Sequence, residues 1–506
     1  MKLKTIVPGL IFFFISLTGF TQVKEDYRQL DESFQQALEE FNAPGLAVGI
    51  VKNGEVVLAK GYGFANNDTK APVDANTVFG IASCSKAFTT ACVSILVDEG
   101  KLHWEDKVVD LLPGFRLYDP YITDELTVRD LLCHRAGYET FDGDLLWYGT
   151  DYSREEVIRR FRYRKNPYSF REKFGYSNLM FIIAGEVIKE ASGKTWEAFV
   201  QEKILDPLDM NNTTTTNQGF NERKNVAYPH LDGKVMGFIN YDNAGPAATI
   251  NSSAHDMLQW IQLLLQKGSW NDTVIFSRKQ YYTMVSPQTI LNAGTAEKPG
   301  GEHFLAYGLG WFLYDRDGMK VINHSGGVPG FHSKVVFVPE DSLGFVILSN
   351  ELGGLVGATE HKILDYFMHD SGKDWDKIYL DYVKQSKEKE KERIARMDSS
   401  RVEGTKPSLE LTGYTGVFRD KMYGDAEIKL TDGRLMVTLL PAKELFHSPM
   451  EYWHYDTFSF DFADPFLPKG LLTFHIDEHG VADYFTLDVH SGDFHFRKLK
   501  FERVTE

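Results

Sequence analysis

An α/β domain followed by a small all-β module is the fold class this sequence predicts. Three observations predict it. Strand-like runs and a helix stand near both ends of the region up to about residue 370, a mixed-sign charge run follows, and beyond Leu411 short strands alternate with turns. The length agrees, because 506 residues are too many for a single hydrophobic core.

The first element after the leader runs from Tyr27 to Phe41, where Leu30, Phe34, Leu38 and Phe41 share one helical face. Strand-like runs at 45–52 and 56–63 follow, joined at Asn53–Gly54, a hairpin turn signal. Much later come runs at 333–338 and 344–349, joined by Pro339–Glu340–Asp341, and a helix-like segment at 358–368. Strands at both ends imply that the termini of this region meet in one sheet. The charge run from Gln385 to Arg396 predicts a solvated connecting helix. Strands are then expected at 427–430, 435–440, 457–462, 471–476 and 484–489, with turns at Asp432–Gly433 and His479–Gly480. The resulting division is a leader at 1–21, a large domain at 22–370, a charged linker helix at 371–408 and an all-β barrel-like domain at 409–506.

Residues 1–21 read as a secretory signal, with Lys2 and Lys4 ahead of a short apolar core and small residues Gly19 and Thr21 near its end. The apolar run is shorter than the roughly 20 residues a membrane span needs, so the expectation is an exported, periplasmic or extracellular protein without an integral membrane segment. A net charge of −16 argues against a nucleic-acid partner. Three cysteines, Cys84, Cys92 and Cys133, make no disulfide framework, and no Cys/His cluster has metal-ligand spacing.

One stretch proposes a reaction directly. In Gly80-Ile-Ala-Ser-Cys-Ser-Lys86, Ser83 and Lys86 lie three apart, which on a helix puts both on one face. A serine hydroxyl is a weak nucleophile without a base, and an ordinary lysine, with a pKa of about 10.4, is protonated. Burial disfavours the ammonium, and Ala87, Phe88, Ala91, Cys92, Ile95 and Leu96 predict such burial. The same spacing recurs at Ser386–Lys389 inside the charge run, so the pair alone is weak.

Two further elements strengthen it. Tyr176–Ser177–Asn178 leads into a long apolar helix, and His324–Ser325–Gly326 is followed by Gly327. Each has a decoy, Tyr241–Asp242–Asn243 in a loop of small residues and His490–Ser491–Gly492 in the terminal module. With Ser83–Lys86, the ordered trio resembles the Ser-x-x-Lys, Tyr-x-Asn and Lys/His-Thr/Ser-Gly elements of the penicillin-binding active-site-serine hydrolases. Residues from about 25 to 370 look like their class C β-lactamase and D-alanyl-D-alanine carboxypeptidase branch. The last module resembles a lipocalin-like domain. The resemblance implies a β-lactamase/transpeptidase-like fold, an antiparallel sheet flanked by helices plus a helical subdomain.

It also implies roles. Ser83 would form an acyl-enzyme, Lys86 would take its proton, and Tyr176 would act as general acid/base. Asn178 would bind Lys86 or the substrate. His324, Ser325 and Gly326 would line the substrate site, with the backbone N–H groups of Ser83 and Gly327 as the oxyanion hole. No metal or organic cofactor is called for. His134 and Asp256 are expected to be structural. Because histidine replaces lysine at 324, recognition of a substrate carboxylate is expected to be weaker or to vary with pH.

The function expected is thus a secreted serine hydrolase acting on a small peptide, a β-lactam or an ester. A peptidase or carboxypeptidase of D-amino-acid-containing peptides leads, with a β-lactamase or small-ester esterase as alternatives. A catalytically silent cell-envelope binding protein is the reading from another class. The terminal module is a candidate surface for homo-oligomers.

Overall fold

A computed structural model describes residues 27–292 and 300–505; the predicted leader lies outside the described residues. Its centre is a nine-stranded antiparallel sheet. In spatial order the strands are 289–291, 305–307, 312–316, 319–328, 331–338, 343–349, 45–52, 55–66 and 71–72. The N-terminal strand pairs with the last one, Leu46 opposite Ser349 and Lys52 opposite Leu343, so the two ends of the domain do meet.

Both faces of the sheet are covered, which explains why its central strands read as continuous apolar runs rather than alternating ones. Phe345 and Ile347 pack on one face with Leu30, Phe34 and Ile363 from the helices Arg28–Glu40 and Leu355–Phe367. Val346 and Leu348 point the other way, into the larger core with Leu258 and Ile261 of the helix Ala254–Leu265. Gly49 and Gly344 let that helix approach, since a Cβ at either would stand within 2.9 Å of Leu258 Cγ or 2.3 Å of Ile261 Cγ2. Beyond this face lies a helical region that includes Ser85–Asp98 and Asn178–Ser192.

The charge run forms a helix over Trp375–Ser399, in which only Trp375 and Asp376 are buried, as a solvated connection requires. The terminal module is a closed barrel of eight antiparallel strands between 416 and 503. Five of these were anticipated; the strands Gly416–Asp420, His447–His454 and Lys500–Arg503 were not. Rings fill the interior. Phe485 lies 4.8 Å from Phe501 and 5.1 Å from Phe418, and Tyr414 lies 4.8 Å from Phe474.

The barrel docks against the helical region through polar and aromatic contacts. Tyr148 donates to Asp464 at 2.9 Å and lies 4.4 Å from the Phe494 ring. Buried Asp142 faces His495 at 2.9 Å and Lys498 at 2.7 Å from the barrel, and Arg164 at 2.9 Å from its own domain. These contacts bring barrel residues 466–494 to the cleft described next.

Candidate active site

The strand Val78–Gly80 runs into a 3-10 turn, Ala82–Cys84, and only then into the helix Ser85–Asp98. Ser83 therefore stands ahead of the α-helix rather than in its first turn. The tighter turn still keeps residues three apart on one side, and Lys86 Nζ lies 3.0 Å from Ser83 Oγ. Ala82 holds φ at +48°, a left-handed conformation that costs a side-chain-bearing residue about 1–2 kcal/mol. Such strain gathers where a fold over-determines a functional residue.

Lys86 is fully buried. Its Nζ also lies 2.6 Å from Asn178 Oδ1 and 2.9 Å from the Ala247 carbonyl oxygen. A neutral amine has two N–H donors and one lone pair, so Asn178 and Ala247 can take the donors while Ser83 donates its hydroxyl proton to the lone pair. Burial lowers the Lys86 pKa to about 7, against the opposing pull of Asp144.

Asn178 opens the helix Asn178–Ser192, whose N-cap Ser177 accepts the Met180 N–H. Its Nδ2 donates to Asp144 Oδ2 at 2.6 Å. Burial raises the Asp144 carboxyl to about 8, first among its causes, with hydrogen bonds from Trp147 and Asn178 acting the other way. Sequence reasoning missed Asp144; its one signal was a pair of carboxylates, Asp142 and Asp144, inside the otherwise apolar stretch from Phe141 to Trp147.

Tyr176 is buried, with Lys86 Nζ 4.8 Å from its ring centroid. Burial raises its phenol far above the ordinary value, and a hydrogen bond with Ser83 opposes this only in part. The residue is a protonated phenol at neutral pH. His134 packs 4.1 Å from the Tyr176 ring, and its Nδ1 accepts the Ser177 N–H at 3.1 Å. This histidine is structural, as expected, yet it supports the second motif directly. Asp256 accepts from Asn212 and Thr213 outside the cleft.

His324 lies in the strand Met319–Val328. Its Nδ1 is 2.7 Å from the Ser325 carbonyl and its Nε2 is 3.0 Å from Tyr307 Oη. The tautomer consistent with both carries its proton on Nδ1 and accepts from Tyr307, a residue the sequence did not single out. Burial, then Lys86, lowers its pKa to about 3. The ring is therefore uncharged from pH 5 upward, which, of the two outcomes expected at His324, favours weaker carboxylate recognition over a pH-dependent one. Gly326 must be glycine: a Cβ would meet the Ile81 carbonyl oxygen at 2.2 Å and Ser83 N at 2.9 Å. Gly326 thus packs against the Ser83 backbone nitrogen, and the next residue, Gly327, lines the cleft with Ser83.

The three predicted motifs thus meet in one cleft of about 520 Å³, lined by Ser83, Tyr176, Asn178, His324, Ser325 and Gly327 among others. The decoys separate. Ser386–Lys389 lies on the exposed connecting helix, and Tyr241–Asn243 is no part of the lining. Ser491, of the barrel decoy, does reach the cleft, together with Phe466, Leu467, Asp493 and Phe494. Aromatic rings dominate the walls; Asp144 and Asp493 are the acidic residues, and no lysine or arginine is among the lining residues.

Comparison with known proteins identifies the family and the fold. The Beta-lactamase family model matches residues 30–366, and a Domain of unknown function (DUF3471) matches 400–503. The unguisins hydrolase ungD' of Aspergillus campestris is 30% identical over 429 residues, 78% of this chain and 77% of that one. Unguisins hydrolase ungD of Aspergillus violaceofuscus is 26% identical over 457 residues, 83% and 80% of the two chains. Protein flp of Staphylococcus aureus (strain MW2) is 25% identical over 342 residues, 64% and 63%. Among solved structures, the octameric penicillin-binding protein homologue from Pyrococcus abyssi superposes with a TM-score of 0.60 at 22% identity, over 94% of this chain and 99% of that one.

Proposed function

The chain belongs to the beta-lactamase family, and from that membership we propose that it is a serine hydrolase that cleaves an amide or ester through an acyl-enzyme on Ser83. One observation carries the reading: the buried Lys86 amine, its pKa brought down to about 7, lies 3.0 Å from Ser83 Oγ.

As Oγ attacks the substrate carbonyl, its proton passes to Lys86 Nζ and the carbonyl oxygen becomes an oxyanion held by the Ser83 and Gly327 amides. The protonated Tyr176 phenol then relays a proton from Lys86 to the leaving nitrogen or oxygen as the scissile bond breaks. In deacylation the same groups take a proton from water and return one to Ser83. Asn178 keeps the amine aimed throughout.

Within this chemistry a peptide containing D-amino acids remains the proposed substrate class, with β-lactams and small esters as alternatives. The relatives named as unguisins hydrolases support a hydrolytic reading. The cleft favours a substrate with no carboxylate beside the scissile bond, because His324 is uncharged and no cation lines the walls. That places an amide or ester without a free acid ahead of carboxypeptidase action. Export rests on residues 1–21 alone.

Labelling with a fluorescent fluorophosphonate, with Ser83→Ala as control, tests the acyl-enzyme. A panel of D-peptides, β-lactams and acyl esters then ranks substrates. Labelling that survives Ser83→Ala sinks the assignment of the nucleophile.

A further inference from the structure

Two wholly buried serines, Ser85 and Ser333, hold the backbone around the nucleophile without lining the cleft. Ser85 Oγ donates to the Ala82 carbonyl at 2.6 Å and accepts the Ile250 N–H at 3.0 Å. Ser333 Oγ donates to the Ile81 carbonyl at 2.7 Å, with the Gly326 carbonyl a longer contact at 3.4 Å. Ser333 stands opposite Gly326 in the antiparallel ladder. Its hydroxyl therefore ties the turn that precedes Ser83 to the strand that carries Gly327. Cys84 Sγ adds a weaker tie between the same two elements, 3.3 Å from the His324 carbonyl.

We propose that Ser85 and Ser333 are positioning residues for the oxyanion hole, the first aiming the Ser83 N–H and the second fixing its separation from the Gly327 N–H. The proposal rests on the acyl-enzyme reading above and assigns the groups that pre-organise its transition state.

A peptide unit is planar and trans, so its N–H and C=O point in opposite directions. The Ser83 N–H shares its unit with the Ala82 carbonyl. Ser85 draws that carbonyl into the interior, which turns the Ser83 N–H the other way. The Gly327 N–H likewise shares its unit with the Gly326 carbonyl, and that carbonyl faces Ser333. The first unit needs such a hold, because Ala82 sits at a φ of +48°, a conformation that persists only where its surroundings over-determine it. Plain packing would be met by alanine without the cost of burying a hydroxyl. Both serines instead direct their one proton to a carbonyl beside the proposed hole. Donors of this kind stabilise the transition state only when aimed at the place where the charge develops.

The test compares 4-nitrophenyl acetate with its thionoester, in which sulfur replaces the carbonyl oxygen. Sulfur is a weak hydrogen-bond acceptor, so the ratio of the two kcat/KM values reads the oxyanion hole rather than the general state of the fold. Ser85→Ala and Ser333→Ala are each expected to slow the oxygen ester roughly tenfold and to leave the thionoester nearly unchanged. The acid limb near pH 7, set by Lys86, should stay in place. Where an alanine variant does not fold, the cysteine variant at that position, whose thiol is a weaker donor, carries the same reading: a ratio lowered about threefold supports the tie, and an unchanged one overturns it. A ratio within about twofold of the unaltered protein's in either alanine variant, whether or not both rates fall, overturns the arrangement and leaves the hydrolase reading intact. Absence of Ser83-dependent nitrophenol release in the unaltered protein overturns the hydrolase reading itself, and the positioning role with it.

Discussion

The side-chain amide of Asn178 accepts from Lys86 Nζ at 2.6 Å, and its other end donates to Asp144 at 2.6 Å. The amide is therefore fixed in one orientation, with its oxygen toward the base. Asp144 acts through Asn178 and is a positioning residue. Asp144→Ala removes the acceptor and frees Asn178 to flip. Losing one hydrogen bond corresponds to about 0.5–1.5 kcal/mol, so kcat/KM should fall about 2- to 10-fold, carried by kcat. Asp144 also raises the Lys86 pKa, so its removal should move the acid limb of the kcat/KM profile to lower pH. A loss of rate with an unmoved limb would mark Asp144 as structural only.

The pH dependence of acylation follows from Lys86. Its folded pKa, about 7, lies below the ordinary 10.5 because burial disfavours the ammonium. The neutral amine is the active form, so Ser83 acylation should be slow below that value and rise to a plateau above it. The labelling rate with a neutral fluorophosphonate reads this directly. A rate that is flat across the region, or that first rises near 10, would show that the amine is solvated.

His324 contributes no charge to that profile, and Tyr307 explains how its ring is held. Tyr307→Phe removes the donor to the buried Nε2. Leaving a buried acceptor unpaired costs about 1–3 kcal/mol, which a thermal melt should register. Activity should drop without a new titration between pH 5 and 9, because the histidine stays uncharged there. Substrates matched except for a carboxylate should give parallel profiles over that range. Profiles that diverge near the ordinary histidine pKa would show a charged His324.

Much of the molecule is legible in the sequence where one local pattern decides the outcome. The hairpin at Asn53–Gly54 and the apolar run around Lys86 each specify their element, and the order of the three motifs brings Ser83, Tyr176 and His324 together. What escaped depends on packing between distant segments. Asp144 and Tyr307 lie in stretches with no motif of their own, and only the fold sets them against Asn178 and His324. The strand His447–His454 contains Pro449 and exposed charged positions, so alternation alone did not reveal it. Ser491 was set aside as a decoy because it lies beyond the linker, yet barrel docking brings it to the cleft wall. Sequence distance carries no information about such an approach.

That docking has its own acid sensitivity. Asp142 is buried and faces Arg164, His495 and Lys498, the last two from the barrel. Burial opposes its charge, but the hydrogen bonds from His495 and Lys498 and the nearby Arg164 win, holding the carboxyl well below its ordinary 3.8. A depressed carboxylate stabilises the fold above its unfolded pKa and loses that contribution as pH falls toward the folded value. Asp142→Asn should therefore lower the melting temperature by a similar amount at pH 7 and pH 5, corresponding to about 1–3 kcal/mol. Below about pH 3.8 the gap between the two proteins should begin to close, because the unfolded chain's carboxyl takes up a proton there while the folded one still refuses it. The same variant should loosen the barrel from the cleft, making Ser491–Phe494 more accessible to hydrogen exchange. An equal gap at pH 7 and pH 2.5, or unchanged exchange at that turn, would show that the barrel is held by Tyr148 and its ring contacts instead.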